Sequence, residues 1–504
     1  MTEVPAYDVA VIGYGPTGAT AANLLGRLGL KVVVIERDPD VYNRARAIST
    51  DEEVMRIWQS IGLSERLQAD MLPDRPLMFV DAKGEPFIEM KIEPRGCGHP
   101  PQQFLYQPAV DLVLREGVAR YGNVEVLVEH ECLRTQTKGD EVELLLADLA
   151  TDTFKRVSAS YVIAADGGSS PTRGQLGVGY SGRTYAERWV VIDTKVRMAW
   201  DGHDHLRFHC TPVRPTVDCP TPLGHHRWEY PARAAEDEKV LLREDEIWKV
   251  LGAQGITDEH VEILRAVIYS HHVRIAERWR VGRVFLAGDA AHAMPPWIGQ
   301  GMSAGVRDAA NLCWKLAAVI GGNAPDSLLD SYEAERKPHV TEVTRRAVKV
   351  GRIITERNGV VASLRDRVVR GLSHLPGALN VFQRICWIPD ARYKKGFFAA
   401  GEQRAVGWLI PQPRVDGVRL DDLVGGRWAI LHIGELPAGA SAWTERGAAA
   451  VRITEPSLVR WMRDKKASAV VLRPDGFVYA ACDSGQALPA PSIGMATNRT
   501  GVAA

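Results

Sequence analysis

Two hydrophobic periods alternate along this chain, and the places where one gives way to the other predict its elements. Positions 7–12 are apolar and β-rich and run into Gly13-Tyr14-Gly15-Pro16-Thr17-Gly18, after which a helical spacing holds through Leu28. Gly29 closes that helix, 31–35 is a second strand, and Glu36 stands at its end. Positions 124–128 and 142–146 alternate like antiparallel strands, and 161–165 is a third apolar strand that stops at Asp166-Gly167. Helical patterns cover 51–61 and 109–120, the latter just after Phe104-Leu105-Tyr106-Gln107-Pro108. From about 179 to 278 short β-like runs (190–196, 206–210, 227–230) are broken by Pro212, Pro215, Pro220 and Pro222, which predicts a separate sheet domain inserted into the first. Val284 to Leu286 is one more short strand, ended by Gly288-Asp289, and Gly299-Gln300-Gly301 opens a long helix through Leu316.

The predicted fold is therefore α/β with α+β character overall. It comprises a Rossmann-like nucleotide domain (1–178, resumed at 279–389 with packing helices), the inserted β-sheet domain (179–278), a linker (390–413) and a small C-terminal α/β domain (414–504).

Composition narrows the function classes. Lys+Arg and Asp+Glu are both 62, so the balance supplies no argument for nucleic acid or an anionic membrane. No apolar run approaches the roughly 18 residues of a membrane span, and the first residues lack a signal-peptide pattern, so a cytoplasmic location is expected. The seven cysteines are scattered singly with no CxxC, which points to reduced, packed thiols and to no metal site.

The chemistry concentrates at strand ends. Strand, GxGxxG, helix, strand and acid occur in the order a dinucleotide needs: Gly13 for the tight turn, Gly15 for backbone approach to a pyrophosphate, Gly18 for helix packing, and Glu36 for the adenosine ribose. Glu36 repels a 2′-phosphate despite the neighbouring Arg37, so FAD or NAD suits this site better than NADP. Asp166 and Asp289 end two further strands and bring carboxylates to one edge of the same sheet. The Gly299–Gly301 helix start offers unpaired N–H groups and the positive end of a dipole to developing negative charge. Arg46 follows the nucleotide strand and is a candidate for the phosphate or the ring-side cavity; Gln107 is either a cap or a ligand contact. In the inserted domain His209, Arg214, His225, His226, Arg227, Trp228 and Tyr230 are candidates to face a substrate.

With these residues assembled, the chain resembles the class A flavoprotein aromatic hydroxylases, the group of para-hydroxybenzoate hydroxylase and phenol hydroxylase. The resemblance rests on GYGPTG with Glu36, on 165–173 (ADGGSSPTR) and on 288–292 (GDAAH), three motifs in the group's order. Within the group, 46–48, 104–108, 212–215 and 295–308 are most similar to the branch that hydroxylates 3-(3-hydroxyphenyl)propionate, and the C-terminal part is similar to a degenerate thioredoxin-like domain. One departure is Ala45, where the group often has Pro before the Arg-Ala pair.

The resemblance implies tightly bound FAD, with Gly13, Gly15 and Gly18 on the pyrophosphate, Glu36 on the ribose, Gly288-Asp289 on the ribityl chain, and Pro295, Gly299, Gly301 and Met302 beside the flavin ring. Arg46 and Gln107 would flank the flavin, and Asp166 would lie between FAD and the route of NADH or NADPH, which has no GxGxxG of its own and docks transiently. The implied reaction is NAD(P)H-dependent, O2-consuming hydroxylation of a phenol ortho to its hydroxyl through a C4a-hydroperoxyflavin. On the substrate side the candidates are Arg46, His225, Tyr230 and Trp297, with Arg214 as a carboxylate clamp. The other readings are a hydroxylase of a larger polycyclic phenol or antibiotic and a non-catalytic FAD-binding protein. A halogenase lacks support because WxWxIP is absent. A monomer and a homodimer are both compatible with the sequence.

Overall fold

The computed structural model describes residues 4–42, 46–233, 236–401 and 403–494, with only the backbone of 184–187 and 384–386. Arg44 and Ala45 lie outside the described residues. The nucleotide domain is built on a twisted sheet in which Val284–Leu286, Thr153–Ala164, Ala6–Ile12, Val32–Ile35 and Val124–Leu127 are successive parallel neighbours. Val9, Ala10, Val11, Val32, Val33, Val34, Val162, Ile163 and Ala164 are all fully buried, because helices cover one face and an antiparallel layer the other. Register does the rest: Ile12 lies opposite both Ile35 and Ala164, and Ala164 opposite Leu286. Parallel strands all end at the same edge, so Gly13, Glu36, Asp166 and Asp289 emerge together.

Two helices close over that edge. Pro16–Arg27 starts with proline in its first turn, where no N–H is needed. Gly301–Ile320 crosses it so closely that a Cβ on Gly305 would stand 2.1 Å from Thr17 Oγ1 and 3.0 Å from Gly288 Cα.

The second sheet has eight strands and is wider than the sequence predicts. Its long pair Tyr180–Val196 and Val261–Ala276 and the strands Leu206–His209, Thr216–Thr221 and His225–Pro231 lie in the inserted stretch, but Leu77–Val80, Pro86–Met90 and His292–Ala293 come from the flanking nucleotide segments. Leu77–Val80 pairs in parallel with Leu206–His209, burying Phe79 against Phe208 at 4.8 Å. The stretch 390–413 is packed rather than extended in solvent: Tyr393, Ala405 and Ile410 are buried, and Leu409 bridges to Phe477. The C-terminal sheet has Ala449–Arg452, Ala429–His432, Ala469–Leu472 and Val478–Cys482 in that order, the first pair parallel and the others antiparallel, which is the thioredoxin-like arrangement. Among the described residues no helix is long and apolar enough to cross a membrane.

Candidate active site

The glycines of the fingerprint divide into two that are filled by protein and one that is not. A Cβ on Gly13, whose φ is +97°, would lie 2.4 Å from Ala165 O, and one on Gly18 would lie 2.0 Å from Gly13 O. A Cβ on Gly15 would meet nothing within 4 Å, which leaves the space a pyrophosphate needs at the start of a helix. Glu36 accepts from the N–H groups of Tyr14 (2.7 Å) and Asp38 (3.0 Å), so its carboxylate is held at the strand end with lone pairs to spare for a ribose.

Asp289 carries the clearest sign of a missing polar ligand. Its side chain is solvent-accessible and its carboxylate has no hydrogen-bond donor among the described residues, yet protein surrounds it on most sides. Burial raises its pKa, and the charges of His292 and Arg46 only partly offset that. An accessible but enclosed carboxylate lines a cleft, and ribityl hydroxyls are the donors that suit it.

The loop that presents Asp289 is braced by Asp308. This fully buried carboxylate accepts from Gly288 N–H (3.0 Å), His292 Nε2 (2.6 Å) and Arg336 Nε (2.8 Å). Burial works against its charge, but His292 and Arg336 outweigh it and hold the pKa below the ordinary carboxylate range. At the helix start, Gly299 has φ +63° and a Cβ there would strike Ser49 Oγ at 2.3 Å, so glycine is required. Gly301, Met302 and Ser303 form the first turn of Gly301–Ile320, where N–H groups have no intrahelical acceptor. Gln300 is pinned by Asp51 (3.0 Å) and Arg307 (3.0 Å), and buried Pro295 starts the short 3-10 turn before it.

Gln107 acts on the protein. Its Oε1 accepts from the N–H groups of Arg46 (3.0 Å) and Ala47 (2.8 Å), fixing the segment that presents the exposed Arg46. Asp166 likewise organises its own loop, accepting from Ser170 Oγ (2.5 Å) and Thr172 N–H (3.1 Å). Arg173 then ties the two acidic loops together by donating to Gly168 O (2.8 Å) and Ala290 O (3.0 Å) across the ring of Tyr180. The residues present fit FAD: an open glycine turn, an acid at the second strand end, an unpartnered carboxylate, and a helix start with free N–H groups.

The sheet domain presents one face to this cleft. Along His225–Pro231 side chains alternate, so His225, Arg227 and Glu229 share a face and His226, Trp228 and Tyr230 the other. The first set meets the nucleotide domain: Arg227 donates to Arg46 O (3.0 Å), and His225 stacks on Tyr106 at 4.9 Å. The second set packs with Val190, Ile192, Leu241 and Ile247, all from the sheet domain itself. Tyr230 is thus fully buried on the face turned away from the cleft. Arg214 goes with it, paired to Glu236 and lying 5.3 Å over the Tyr230 ring. The expected contacts of Tyr230 and Arg214 with a substrate are therefore corrected by strand parity. Trp297 is half-buried edge-on to Trp189 at 4.7 Å and close against Gly351, in the seam between sheet and helix.

The cleft face also carries residues the sequence reading did not single out. Tyr269 stands opposite Trp189 in the register, is half-buried, and hydrogen-bonds Glu229. Asp193 accepts from Arg227 Nε (2.7 Å) and Arg265 Nε (2.5 Å). The findable signal was the period of two in Arg265, Val267, Tyr269 and His271, which aligns them on one face.

Comparison with known proteins agrees with this geometry. The FAD binding domain family model matches residues 6–347, and the HcaD C-terminal domain model matches 407–492. The 3-(3-hydroxy-phenyl)propionate/3-hydroxycinnamic acid hydroxylase of Burkholderia cenocepacia strain HI2424 is 34% identical over 512 residues, covering 95% of this chain and 94% of that one. The protein of the same name from Mycolicibacterium smegmatis is 35% identical, covering 94% of this chain and 86% of its own. In three dimensions the chain matches aklavinone-11 hydroxylase, solved with FAD and aklavinone, with a TM-score of 0.80 at 24% identity over 97% of both chains. The chain belongs to the FAD-binding aromatic hydroxylase family and is an FAD-dependent monooxygenase.

Proposed function

We propose that the substrate is a small phenol bearing an aliphatic carboxylate, of the 3-(3-hydroxyphenyl)propionate or 3-hydroxycinnamate class, hydroxylated ortho to its hydroxyl. The observation that carries this reading is the likeness over nearly the whole chain, sheet domain included, to hydroxylases named for those acids. FAD held by the Gly13–Gly18 turn, Glu36 and Asp289 would supply the redox chemistry, in which NAD(P)H is the reductant and O2 provides one atom to the ring and one to water.

The chain's part is to hold the phenol, take its proton and keep water out. Tyr269 and Glu229 are suited to the second task. Burial raises the pKa of Glu229, with Arg227 opposing and Asp193 adding to the shift, so this carboxylate accepts a proton more readily than an ordinary one. The substrate hydroxyl gives its proton to Tyr269 Oη as Tyr269 passes its own to Glu229, leaving a phenolate whose ring is activated toward electrophilic oxygen. Arg227, Arg265, Asp193 and Glu229 are formally neutral together and become +1 when Glu229 is protonated, which stabilises that phenolate. Arg46, exposed at the cleft and close enough to Asp289 to influence its ionisation, is the proposed counter-charge for the substrate carboxylate. His225 forms the adjoining wall, and Trp297 packs on the same face of the sheet as Tyr269, edge-on to Trp189 and His271.

The test is NADH and NADPH oxidation with oxygen uptake and product mass, with and without 3-(3-hydroxyphenyl)propionate. Substrate-stimulated turnover yielding a product heavier by one oxygen is expected. Stimulation without an oxygenated product would make the acid an effector and remove it as substrate. Tyr269→Phe and Glu229→Gln should retain FAD and lose about 100-fold in kcat, in the range of one general base. Full turnover in both would exclude the proton path.

A further inference from the structure

Two residues along the strand from Tyr269, a small chamber opens where the sheet meets the helix Ser331–Ile354. Trp189 and His271, stacked at 5.2 Å, line it from the sheet, and Gly351, Arg352 and Thr355 line it from the helix and its C-cap. Trp297 lies between, edge-on to the two sheet rings at 4.7 and 5.6 Å. Its indole comes so near the helix that a Cβ on Gly351 would stand 2.3 Å from Nε1, so only glycine admits it there.

The polar groups of the chamber have a common sign. No carboxylate lines it. Arg352 is exposed and enters no ion pair or hydrogen bond among the described residues, and Glu356, the acid nearest to it in the chain, accepts from Asn358 N–H at 2.8 Å instead. The Trp297 N–H likewise has no acceptor among the described residues. His271 is 5% exposed and its Nε2 has no hydrogen-bond partner, so a buried polar edge in the wall is unused by the protein itself. Burial pushes the His271 pKa down to about 4, with His272 acting in the same direction, and the neutral ring offers one N–H.

We propose that this chamber is a second binding site, which takes the propionate side chain of an aryl acid and leaves the ring outside. A guanidinium, an indole N–H and an imidazole with no acid among them suit a carboxylate, which accepts charge-assisted hydrogen bonds and brings the missing negative charge. Size agrees. The chamber holds about 60 Å³. A water takes up roughly 10–15 Å³ of such space, so about four to six water-sized groups fit, which is the span of a carboxylate and two methylenes. An aryl acid in place of any other carboxylate rests on the substrate class proposed above. The site is distinct from the Arg46 counter-charge, since Arg46 lies beside Arg227 and Asp289 whereas Arg352 comes from the far side of Trp297.

Equilibrium dialysis of the FAD-loaded full chain against 3-(3-hydroxyphenyl)propionate tests this. The parent should bind two equivalents, and Arg352→Gln and Arg46→Gln one each. 3-Ethylphenol, which lacks the carboxylate, should bind the parent with no more than one. A single equivalent of the acid in the parent, two in Arg352→Gln, or two equivalents of 3-ethylphenol would overturn the assignment. Two equivalents of the acid, one of them lost in Arg352→Gln, with no oxygenated product on turnover would remove the acid as substrate and leave this site standing.

Discussion

Single side chains in this protein do their work through their surroundings. Asp289 illustrates this: it is enclosed, accessible and without a donor among the described residues, the setting in which it is proposed to hold the ribityl chain. Asp289→Ala should lower the flavin content of the purified protein and weaken FAD binding by 10-fold or more, about 1.4 kcal/mol for one charge-assisted hydrogen bond. A variant with full flavin absorbance would show that the ribityl chain is held elsewhere. Asp111 gives a pH signature. It lies under Gln107, which donates to it at 3.4 Å, and burial pushes its pKa up to about 7 although Gln107, Arg115 and Arg46 act in the other direction. A carboxyl whose folded pKa is raised binds protons more tightly in the native state, so its ionisation costs stability progressively as pH rises from about 4 to 7. Asp111→Asn keeps the Gln107 contact without the charge. Its Tm should approach the parent's near pH 4 and exceed it at pH 8, with a gain on the order of 3 to 4 kcal/mol. A difference independent of pH would mean that Asp111 does not titrate in this range.

Whole elements explain why some of the site was legible in the sequence and some was not. The fingerprint turn, its helix and the strand-ending acids are local: Gly13, Gly18 and Gly299 must be glycine for reasons within a few residues or one neighbouring strand, so their spacing announces them. The sheet face toward the cleft was hidden because His225 to Tyr230 is buried on both faces, which erases the polar and apolar alternation that would tell Arg227 from Tyr230. The parallel pairing of Leu77–Val80 with Leu206–His209 spans more than a hundred residues and leaves no local trace. Asp308 belongs to the same class. Seven residues into Gly301–Ile320 it looks like a solvated helix residue, whereas it joins that helix to the Gly288 turn and to Arg336 of Ser331–Ile354. Asp308→Asn would leave the buried Arg336 without its charge partner, a loss of about 3 to 5 kcal/mol, and would loosen the turn that carries Asp289. Thermal unfolding should show a lower Tm with and without added FAD; an unchanged Tm would rule out the brace.

At the scale of the whole molecule, the C-terminal domain is joined to the flavin helix by a buried charge cluster. Glu335 accepts both Nη1 (2.7 Å) and Nη2 (2.9 Å) of Arg473, and also Lys315 Nζ (2.9 Å), Asn311 Nδ2 (2.6 Å) and Phe397 N–H (2.8 Å). Arg473 follows the C-terminal strand Ala469–Leu472, while Lys315 and Asn311 come from Gly301–Ile320, the helix whose first turn is proposed to face the flavin. Burial opposes the charge on Glu335, but Arg473 and Lys315 prevail and hold its pKa at about 2. That stability is fully present above the ordinary carboxylate range and is lost as pH falls toward 2. Removing Arg473 is costly, because it leaves Glu335 with Lys315 alone and the buried Asp475 without its ion pair, whereas removing Glu335, Arg473 and Lys315 together leaves a cavity that apolar side chains can fill. Arg473→Met alone should therefore lower stability by about 3 to 5 kcal/mol and reduce FAD retention through the shared helix. Adding Glu335→Met together with Lys315→Met should recover part of that loss, because neither of those buried charges is then left without its partner. A triple variant no better than the single would mean that Arg473 holds the C-terminal domain through Asp475 and the aromatic rings around it, and that this domain reaches the helix Gly301–Ile320 by packing alone.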